Sequence, residues 1–339
     1  MANNSTMSYT YDDYVEYLCP DTFNFETVSG AFFILIFIFS IIGNALLVCV
    51  LVLYENLKNV TNIFILNLAC SDLIFTVTLP FWAIYHLHHW IFGDFSCKFL
   101  TGAYYVGLYS SVILLTAMTV DRFITVVLHN WPSNPVRRHS GAVVACTAAW
   151  VISIAACVRD AVKVKVEVDW NNYSTCEQFD DPDANLGYHL QVSLLFFLPL
   201  AIIVFCYSAI FRTVQQASNR RRHRTVVMVL CIVTAFFICW GPYNVILLIR
   251  SFYEPIGCNA HEHFHIAYSI CRILAFSHCC MNPLLYMLSQ NARANLLQLL
   301  PCNKARRNNR ENGHSQSSVV VPNTTFTAQN SAVLLELPS

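Results

Sequence analysis

The sequence predicts an all-α membrane protein, a seven-transmembrane helix bundle with a short amphipathic helix after span seven. Hydrophobic residues make up 56% of the 339 residues and charged residues only 12%, whereas a soluble domain carries about 25% charged residues. The apolar residues are concentrated in runs that approach or exceed the roughly 20 residues of a membrane-spanning helix. These runs are the predicted spans one to seven: 28–53, 61–86, 97–127, 141–160, 189–213, 224–250 and 264–288.

The spans divide the chain into four predicted parts. Residues 1–27 form a polar, acidic tail without the basic start and apolar centre of a signal peptide, so we expect span one to act as its own insertion signal. Residues 28–289 form the bundle, and residues 290–300 form an amphipathic helix in the membrane interface. Residues 301–339 are polar, and we expect them to be a disordered cytosolic tail.

Basic residues predict the topology. Most of the 20 lysine and arginine residues lie in loops 54–60, 128–140 and 214–223, at the adjoining span ends, or in the C-terminal tail. Because cytosolic loops carry an excess of Lys and Arg, we expect an extracellular N-terminus and a cytoplasmic C-terminus in a multi-pass protein. Acidic residues predominate on the outer side. They would attract a basic ligand, although solubility of the loops explains them equally well.

Four of the 15 cysteines lie on the predicted outer side: Cys19, Cys97, Cys176 and Cys258. The extracellular side permits disulfides, and four cysteines allow three pairings. Pairing Cys97 with Cys176 and Cys19 with Cys258 would tie loop 161–188 to span three and the tail to span seven, but the sequence alone does not choose among the pairings. Acceptor sequons for N-glycans begin on the same side at Asn3, Asn4 and Asn172.

Polar residues inside the apolar spans are functional candidates because they are costly in lipid. Asp72 in span two is the only ionisable residue near the middle of a span. With Asn44, Ser111 and Asn282 it would form an oxygen-rich site suited to a small hard cation such as sodium, together with water. A neutral, hydrogen-bonded structural cluster is the alternative.

Prolines and short polar motifs mark the predicted bends and ends of the spans. The four prolines that can kink a span are Pro80, Pro199, Pro242 and Pro283. Residues 240–243, Trp-Gly-Pro-Tyr, suit a pivot, although a static kink is the commoner case. Residues 278–286 predict a packed, water-lined joint, because backbone freed by proline is tolerated in a membrane only where protein or water covers it. Asp121 and Arg122 end span three, either as a functional pair or as an interfacial snorkelling pair.

In this order and spacing the motifs resemble those of the rhodopsin-like (class A) G-protein-coupled receptors over residues 28–300. They are Asn44, Leu68-Ala69-x-x-Asp72, Asp121-Arg122-Phe123, Trp150, Pro199, Tyr207, Cys239-Trp240-Gly241-Pro242 and Asn282-Pro283-x-x-Tyr286. Finer marks are similar to the chemokine receptor family, in its XC branch: Thr78-Leu79-Pro80 with Phe81-Trp82, the Cys19 and Cys258 pair, His278, and the tail tyrosines Tyr9, Tyr11, Tyr14 and Tyr17. Arg272 favours the XC branch, since many CC receptors have glutamate at the corresponding place.

The resemblance implies a receptor in the plasma membrane for a basic chemokine, of XC type. The residues that would hold the body of the chemokine are Tyr11, Asp12, Asp13 and Tyr14, with the tyrosines as sulfation sites. The N-terminus of the chemokine would then enter the bundle, in a pocket lined by Trp82, Tyr104, Tyr243, Glu262 and Arg272. Core packing is the alternative role for the two pocket tyrosines.

The resemblance also implies an activation mechanism. Its residues would be Asp121, Arg122, Tyr207, Trp240, Asn282, Pro283 and Tyr286. In the family, the Trp240 region repacks, the allosteric sodium site collapses, and Arg122 leaves Asp121 to meet Tyr207 and Tyr286. A heterotrimeric G protein of the inhibitory class would then dock, driving calcium release and chemotaxis. Receptor kinases and arrestin would act on the C-terminal tail.

Other classes of protein fit the sequence less well. Membrane lipid is an expected partner, through the basic residues 220–224 and palmitoylation of Cys302, whereas nucleic acid and enzymatic activity are not expected. A transporter would show internal repeats or a charged path, and neither is present in the sequence. Within the family, the alternatives are a CC-type receptor and an atypical scavenging receptor without G-protein output. The retained Asp121-Arg122 pair argues against scavenging.

Overall fold

A computed structural model describes residues 25–128, 134–168, 172–178, 193–216, 220–250, 252–253 and 255–287. The predicted chemokine-holding residues of the tail, Cys19, the helix predicted at 290–300 and the tail 301–339 lie outside the described residues.

The described helices and strands are, in chain order, α1 (Phe25–Tyr54), α2 (Val60–Thr76), α3 (Leu79–Leu87), α4 (Gly93–Val126), α5 (Pro135–Lys163), β1 (Val164–Val168), β2 (Ser174–Gln178), a π-helical turn (Ser193–Phe197), α6 (Leu198–Gln216), α7 (Arg220–Arg250), α8 (Cys258–Phe276) and α9 (His278–Met287). Within the described residues, six helical segments are long and apolar enough to cross a membrane, with Val60–Leu87 counted as one. The pair α8 and α9, bent by 40°, supplies a seventh. The predicted helical bundle of seven spans is therefore confirmed.

Asparagine caps and prolines explain where several helices begin. The Asn59 side chain accepts a hydrogen bond from the backbone N–H of Thr61 at 3.2 Å, and so caps α2. Asn134 caps α5 in the same way, just before a proline that needs no hydrogen-bond partner at the first helical position. The kink predicted at Pro80 is a break between α2 and α3, where the Thr78 hydroxyl donates to the carbonyl of Phe75 at 2.7 Å.

The joint predicted over residues 278–286 is a bend at Ser277, between α8 and α9. Pro283 itself lies inside α9. Because proline has no N–H, it cannot donate the helical hydrogen bond to the carbonyl of Cys279, four residues earlier. This carbonyl is therefore the group that the fold must satisfy in another way.

Helix α1 supplies the missing hydrogen bonds. The carbonyl of Cys279 accepts from the Asn44 side-chain amide at 2.8 Å and from the Ser40 hydroxyl at 3.3 Å. Gly43 permits this approach, because a Cβ at this position would lie 2.9 Å from Cγ of Pro283. Protein groups thus satisfy the free carbonyl, as they must in a membrane, where no water is available to hydrogen-bond exposed backbone groups.

A disulfide and a β-hairpin close one end of the bundle, hereafter the disulfide end. Cys97 at the start of α4 is bonded to Cys176 in β2, which confirms that predicted pair. Strands β1 and β2 are antiparallel, with Val166 opposite Cys176. The buried Trp90 donates its backbone N–H to the carbonyl of Ser174 at 2.8 Å, which ties the α3–α4 connection to the hairpin. Cys258 is also disulfide-bonded, and its predicted partner lies outside the described residues.

Candidate functional site

Aromatic rings line the bundle towards the disulfide end, and three of the predicted pocket residues belong to this lining. The hydroxyl groups of Tyr243 and Tyr268 are 3.4 Å apart. The Arg272 guanidinium lies over the ring of Tyr268, 5.3 Å from its centroid, and over the ring of Phe33 at 5.6 Å. The Tyr104 ring reaches the same wall through Phe276, whose centroid is 5.6 Å away and which stacks on Phe33.

Arg272 has hydrogen-bonding capacity that the protein does not use. Its Nε and Nη2 atoms are buried and have no hydrogen-bond partner among the described residues. Buried guanidinium donors without acceptors are unfavourable. A carbonyl or carboxylate from a ligand would satisfy them, so Arg272 is suited to bind an acceptor group.

The other two predicted pocket residues are Trp82 and Glu262. Trp82 packs beneath the disulfide, with its ring centroid 5.4 Å from that of Trp90, and connects to the lining through the rings of Tyr85 and His86, the latter in contact with Phe33. Its buried indole N–H has no hydrogen-bond partner among the described residues. Glu262 is half-buried in the first half of α8. The structure therefore gives Trp82 a packing role at the edge of the pocket.

An acid with two histidines lies beside the pocket, and the sequence reasoning missed it. The Glu26 carboxylate of α1 contacts Nδ1 of His86 in α3 and lies 3.3 Å from Nε2 of His265 in α8. It also interacts electrostatically with Arg272. This cluster joins three spans at the disulfide end. The signal available in the sequence was Glu26 at the start of an apolar run, but nothing there indicates its partners.

Asp72 lies in the middle of the bundle, fully buried, and receives a hydrogen bond from the Asn282 side-chain amide at 2.7 Å. Its other carboxylate oxygen, Oδ1, has no hydrogen-bond partner in the part of the chain that the structure describes. Ser111 lies close to the carboxylate but makes no hydrogen bond of ordinary geometry with it. Asn44 donates to Cys279 and Ser40 instead, and its Oδ1 is buried without a partner among the same residues. The structure thus brings Asp72, Asn282 and Ser111 together and directs the Asn44 amide elsewhere.

These groups fit a small cation. His278 Nδ1 lies 2.9 Å from the carbonyl of Ala275, to which it must donate because a carbonyl can only accept. In the neutral ring Nε2 is then an acceptor, and it faces Oδ1 of Asp72 at 3.9 Å. Two acceptors that face each other without a donor favour a positive ion between or beside them. Asp72 and Ser111 supply the oxygens that could hold sodium, whereas the structure does not bring the Asn44 oxygen to Asp72.

His278 also connects this polar site to the aromatic lining. Its ring centroid lies 5.3 Å from that of Trp240, 5.5 Å from Phe236 and 4.9 Å from Phe75. Phe75 in turn packs against Tyr104 at 5.3 Å. A change in packing at the pocket would therefore reach Asp72 through directly touching rings.

Asp121 and Arg122 lie at the opposite end of the bundle, hereafter the Arg122 end. Arg122 Nη2 lies 3.3 Å from Oδ2 of Asp121 and donates a hydrogen bond to the Thr61 hydroxyl. A second arginine, Arg138 of α5, donates to both oxygens of the same carboxylate at 3.0 and 2.8 Å. The sequence reasoning counted Arg138 only as a topology charge. The snorkelling alternative does not describe Arg122, which is buried.

Two of the remaining predicted activation residues are the tyrosines expected to meet Arg122. Tyr207 is half-buried on α6 and already interacts electrostatically with Arg122, whereas the buried Tyr286 is hydrogen-bonded to Glu55. Tyr286 would have to leave Glu55 to contact Arg122, which needs a different arrangement of the bundle.

Comparison with known proteins agrees with this geometry. The profile of the family "7 transmembrane receptor (rhodopsin family)" matches residues 43–286. The chain is 41% identical over 258 residues to Chemokine XC receptor 1 of Homo sapiens, a match that covers 75% of each protein. It is 39% identical over 288 residues to Chemokine XC receptor 1 of Mus musculus, covering 84% of this chain and 86% of that receptor. The chain therefore belongs to the rhodopsin family of seven-transmembrane receptors and, within it, to the chemokine receptors that these XC receptors represent.

Proposed function

We propose that this protein binds a basic chemokine of XC type at the disulfide end and activates a heterotrimeric G protein of the inhibitory class at the Arg122 end. The disulfide end is then extracellular, where disulfides persist, and the protein lies in the plasma membrane. The likeness to two chemokine XC receptors supports the choice of ligand class.

The proposal rests mainly on the environment of the Arg272 side chain. Its guanidinium is held between the rings of Phe33 and Tyr268, while two of its nitrogens, Nε and Nη2, are buried and have no hydrogen-bond partner within the described residues. Such a group is ready for an acceptor on the N-terminal segment of the chemokine, either a backbone carbonyl or a carboxylate. Hydrogen bonds to charged groups contribute about 1.5–3 kcal/mol, enough to matter for affinity.

Binding would favour one of two bundle arrangements through contacts that differ between them. In our proposal, displacement of Tyr243 or Tyr104 alters the packing of Trp240 and His278, and this changes the surroundings of Asp72. A sodium ion held there would favour the inactive arrangement. Arg122 then leaves Asp121, Tyr207 and Tyr286 approach it, and the G protein docks. Receptor kinases and arrestin would act afterwards on residues 301–339.

A panel of chemokines applied to cells that express the protein tests the proposal. XC-type chemokine should lower forskolin-stimulated cAMP, and pertussis toxin should block this effect because it inactivates inhibitory-class G proteins. Absence of a response to every chemokine in the panel would contradict the proposed function.

The Arg272→Gln variant tests directly whether the buried guanidinium of Arg272 binds the chemokine. We expect chemokine affinity to fall about 10- to 100-fold, the factor that corresponds to one charged hydrogen bond, at unchanged surface expression. Arg250→Gln is the matched control: Arg250 lies over the same Tyr268 ring at 5.9 Å but is exposed. Equal losses in the two variants would show that net charge, not the buried donors of Arg272, governs binding.

A further inference from the structure

Arg138 makes the better-formed ion pair with Asp121. Its Nε donates to Oδ1 at 3.0 Å and its Nη2 to Oδ2 at 2.8 Å, which is the bidentate geometry that makes Arg–carboxylate pairs strong. The two side chains are 30% and 14% exposed, so the pair is only partly screened by solvent. Arg138 lies in the first turn of α5. A positive charge there is unfavourable for the helix dipole, so its pairing with Asp121, rather than helix stability, accounts for it.

Arg122, by contrast, holds Asp121 weakly. Its ion-pair contact with the carboxylate is Nη2 to Oδ2 at 3.3 Å, while Nη2 also donates to the Thr61 hydroxyl. The Nε of Arg122 is buried and has no hydrogen-bond partner among the residues that the structure describes. Asp121 therefore keeps a complete pair of hydrogen bonds if Arg122 moves away.

We infer that Arg138 is a positioning residue for G-protein activation: it keeps the Asp121 carboxylate paired when Arg122 leaves, and so favours the active arrangement. This inference rests on the proposed function, in which Arg122 separates from Asp121. Without Arg138, release of Arg122 would leave a carboxylate that is 14% exposed with no cation, which is unfavourable. Asp121 would also be free to bind Arg122 more tightly. Both effects favour the inactive arrangement.

The direction of the effect separates this inference from the simpler idea that Arg138 is part of an inactive lock. If Arg138 only locked the inactive arrangement, Arg138→Ala would raise basal activity. Our inference predicts the opposite, a lower basal activity and a lower chemokine potency. It also predicts that Asp121→Asn, which removes the charge that needs a partner, makes the loss of Arg138 inconsequential.

The test uses purified full-length receptor with an inhibitory-class G protein and XC-type chemokine, with nucleotide exchange as the readout. Arg138→Ala should lower chemokine potency about tenfold, within the usual range of allosteric couplings. Arg138→Lys, which keeps the positive charge but cannot form the bidentate pair of hydrogen bonds, should lower the potency less. Asp121→Asn should raise basal exchange, and Arg138→Ala in that background should change it less than twofold. Arg137→Ala is the matched control, since Arg137 is exposed at the neighbouring position and should have little effect.

A second readout, chemokine affinity without G protein, keeps failure of the inference distinct from failure of the proposed function. Apparent affinity scales with the fraction of receptor in the competent arrangement, so Arg138→Ala should weaken it by about the same tenfold factor. If the parent receptor drives no exchange but the variant still binds chemokine more weakly, the proposed G-protein coupling is wrong, while the effect of Arg138 on the equilibrium between the two bundle arrangements stands. Raised basal exchange, unchanged potency and affinity, or an equal loss in the Asp121→Asn background would overturn the inference. Arg138→Gln serves as the second variant should Arg138→Ala fail to fold.

Discussion

Gly107 of span three lies tightly against span two, and its replacement by alanine should destabilise the receptor. A Cβ at this position would lie 2.8 Å from Cβ of Phe75, 2.9 Å from its backbone nitrogen and 3.0 Å from the carbonyl oxygen of Ser71. Two of these three atoms belong to the backbone of α2, which cannot rotate out of the way as a side chain can. The two helices would have to move apart by several tenths of an ångström.

Two opposing contributions determine how much Gly107→Ala changes the free energy of unfolding. Alanine in place of a helical glycine stabilises by about 1 kcal/mol, whereas overpacking a well-filled interior destabilises by about 1–3 kcal/mol. Because the contacts at Gly107 involve backbone, the upper part of the second range applies, and the net loss should be about 1–2 kcal/mol. Phe75 touches Tyr104 and His278, so the displacement should also weaken chemokine binding.

Gly141→Ala is the matched control for Gly107→Ala. A Cβ at Gly141, on α5, would meet no atom of the other described residues within 4 Å beyond the adjacent residues and the backbone of its own helix, so only the stabilising effect of alanine on the helix remains. Thermal unfolding of the two purified variants, followed by intrinsic tryptophan fluorescence, should give an apparent Tm about 2–6 °C below the parent for Gly107→Ala and at or above the parent for Gly141→Ala. A Gly107→Ala variant that melts with or above the control would refute the packing argument.

Three further predictions concern other contacts. Replacing sodium by N-methylglucamine at constant ionic strength should raise chemokine affinity several-fold in the parent and leave it unchanged in Asp72→Asn; equal sensitivity would rule out a sodium site at this carboxylate. Trp150→Phe should lower stability by about 0.6–1.7 kcal/mol, the range for hydrogen bonds between membrane helices, because the indole N–H donates to the Asn67 side chain at 2.9 Å. In its background Asn67→Ala should then cost less than in the parent, and strict additivity would disprove the coupling. Cys176→Ser should lower stability by about 2–5 kcal/mol, and reduction should lower the melting temperature of the parent by more than that of the variant, in which only the disulfide of Cys258 is left to reduce; equal shifts would contradict a stabilising role for the Cys97–Cys176 disulfide.

The spans could be predicted because each apolar run is long enough to cross a membrane, a local property of the sequence. Their ends were less accurate. Helix α5 begins at Pro135, before the apolar run that starts at 141, because Asn134 and Pro135 start a helix whose first turns are polar. The predicted single second span is broken at Val77 and Thr78, because Pro80 has no N–H to donate to the carbonyl of Thr76, four residues earlier, and its ring would clash with that carbonyl in a continuous helix.

The hairpin at the disulfide end was not predicted. Strand β1 alternates valine with charged residues from Val164 to Val168, which is a strand pattern, but five residues are too few to stand out beside long apolar runs. Its position depends on Cys176, which the disulfide fixes beside Cys97.

Within the candidate site, the sequence predicted contacts between residues of recognised motifs. It did not predict contacts that depend only on which face of a helix is turned towards its neighbour. The contact between Asn282 and Asp72 joins residues 210 apart and was expected because both belong to recognised motifs. The pairing of Arg138 with Asp121 spans only 17 residues, yet it was missed, because hydropathy does not define which side of α5 faces α4. Proximity along the chain was therefore a poorer guide than motif identity.

The contact between span one and Pro283 changes how the bend in span seven should be understood. A proline alone would leave a free carbonyl, and a free carbonyl in a membrane would make the helix locally weak. Here that carbonyl accepts two hydrogen bonds from α1, through Asn44 and Ser40, and Gly43 lets the helices touch at the proline ring. Because these bonds cross between helices, α9 cannot move away from α1 without leaving the Cys279 carbonyl unsatisfied. The joint is therefore better described as a rigid connection between spans one and seven, and movement in activation must either carry both spans together or exchange these two hydrogen bonds for others.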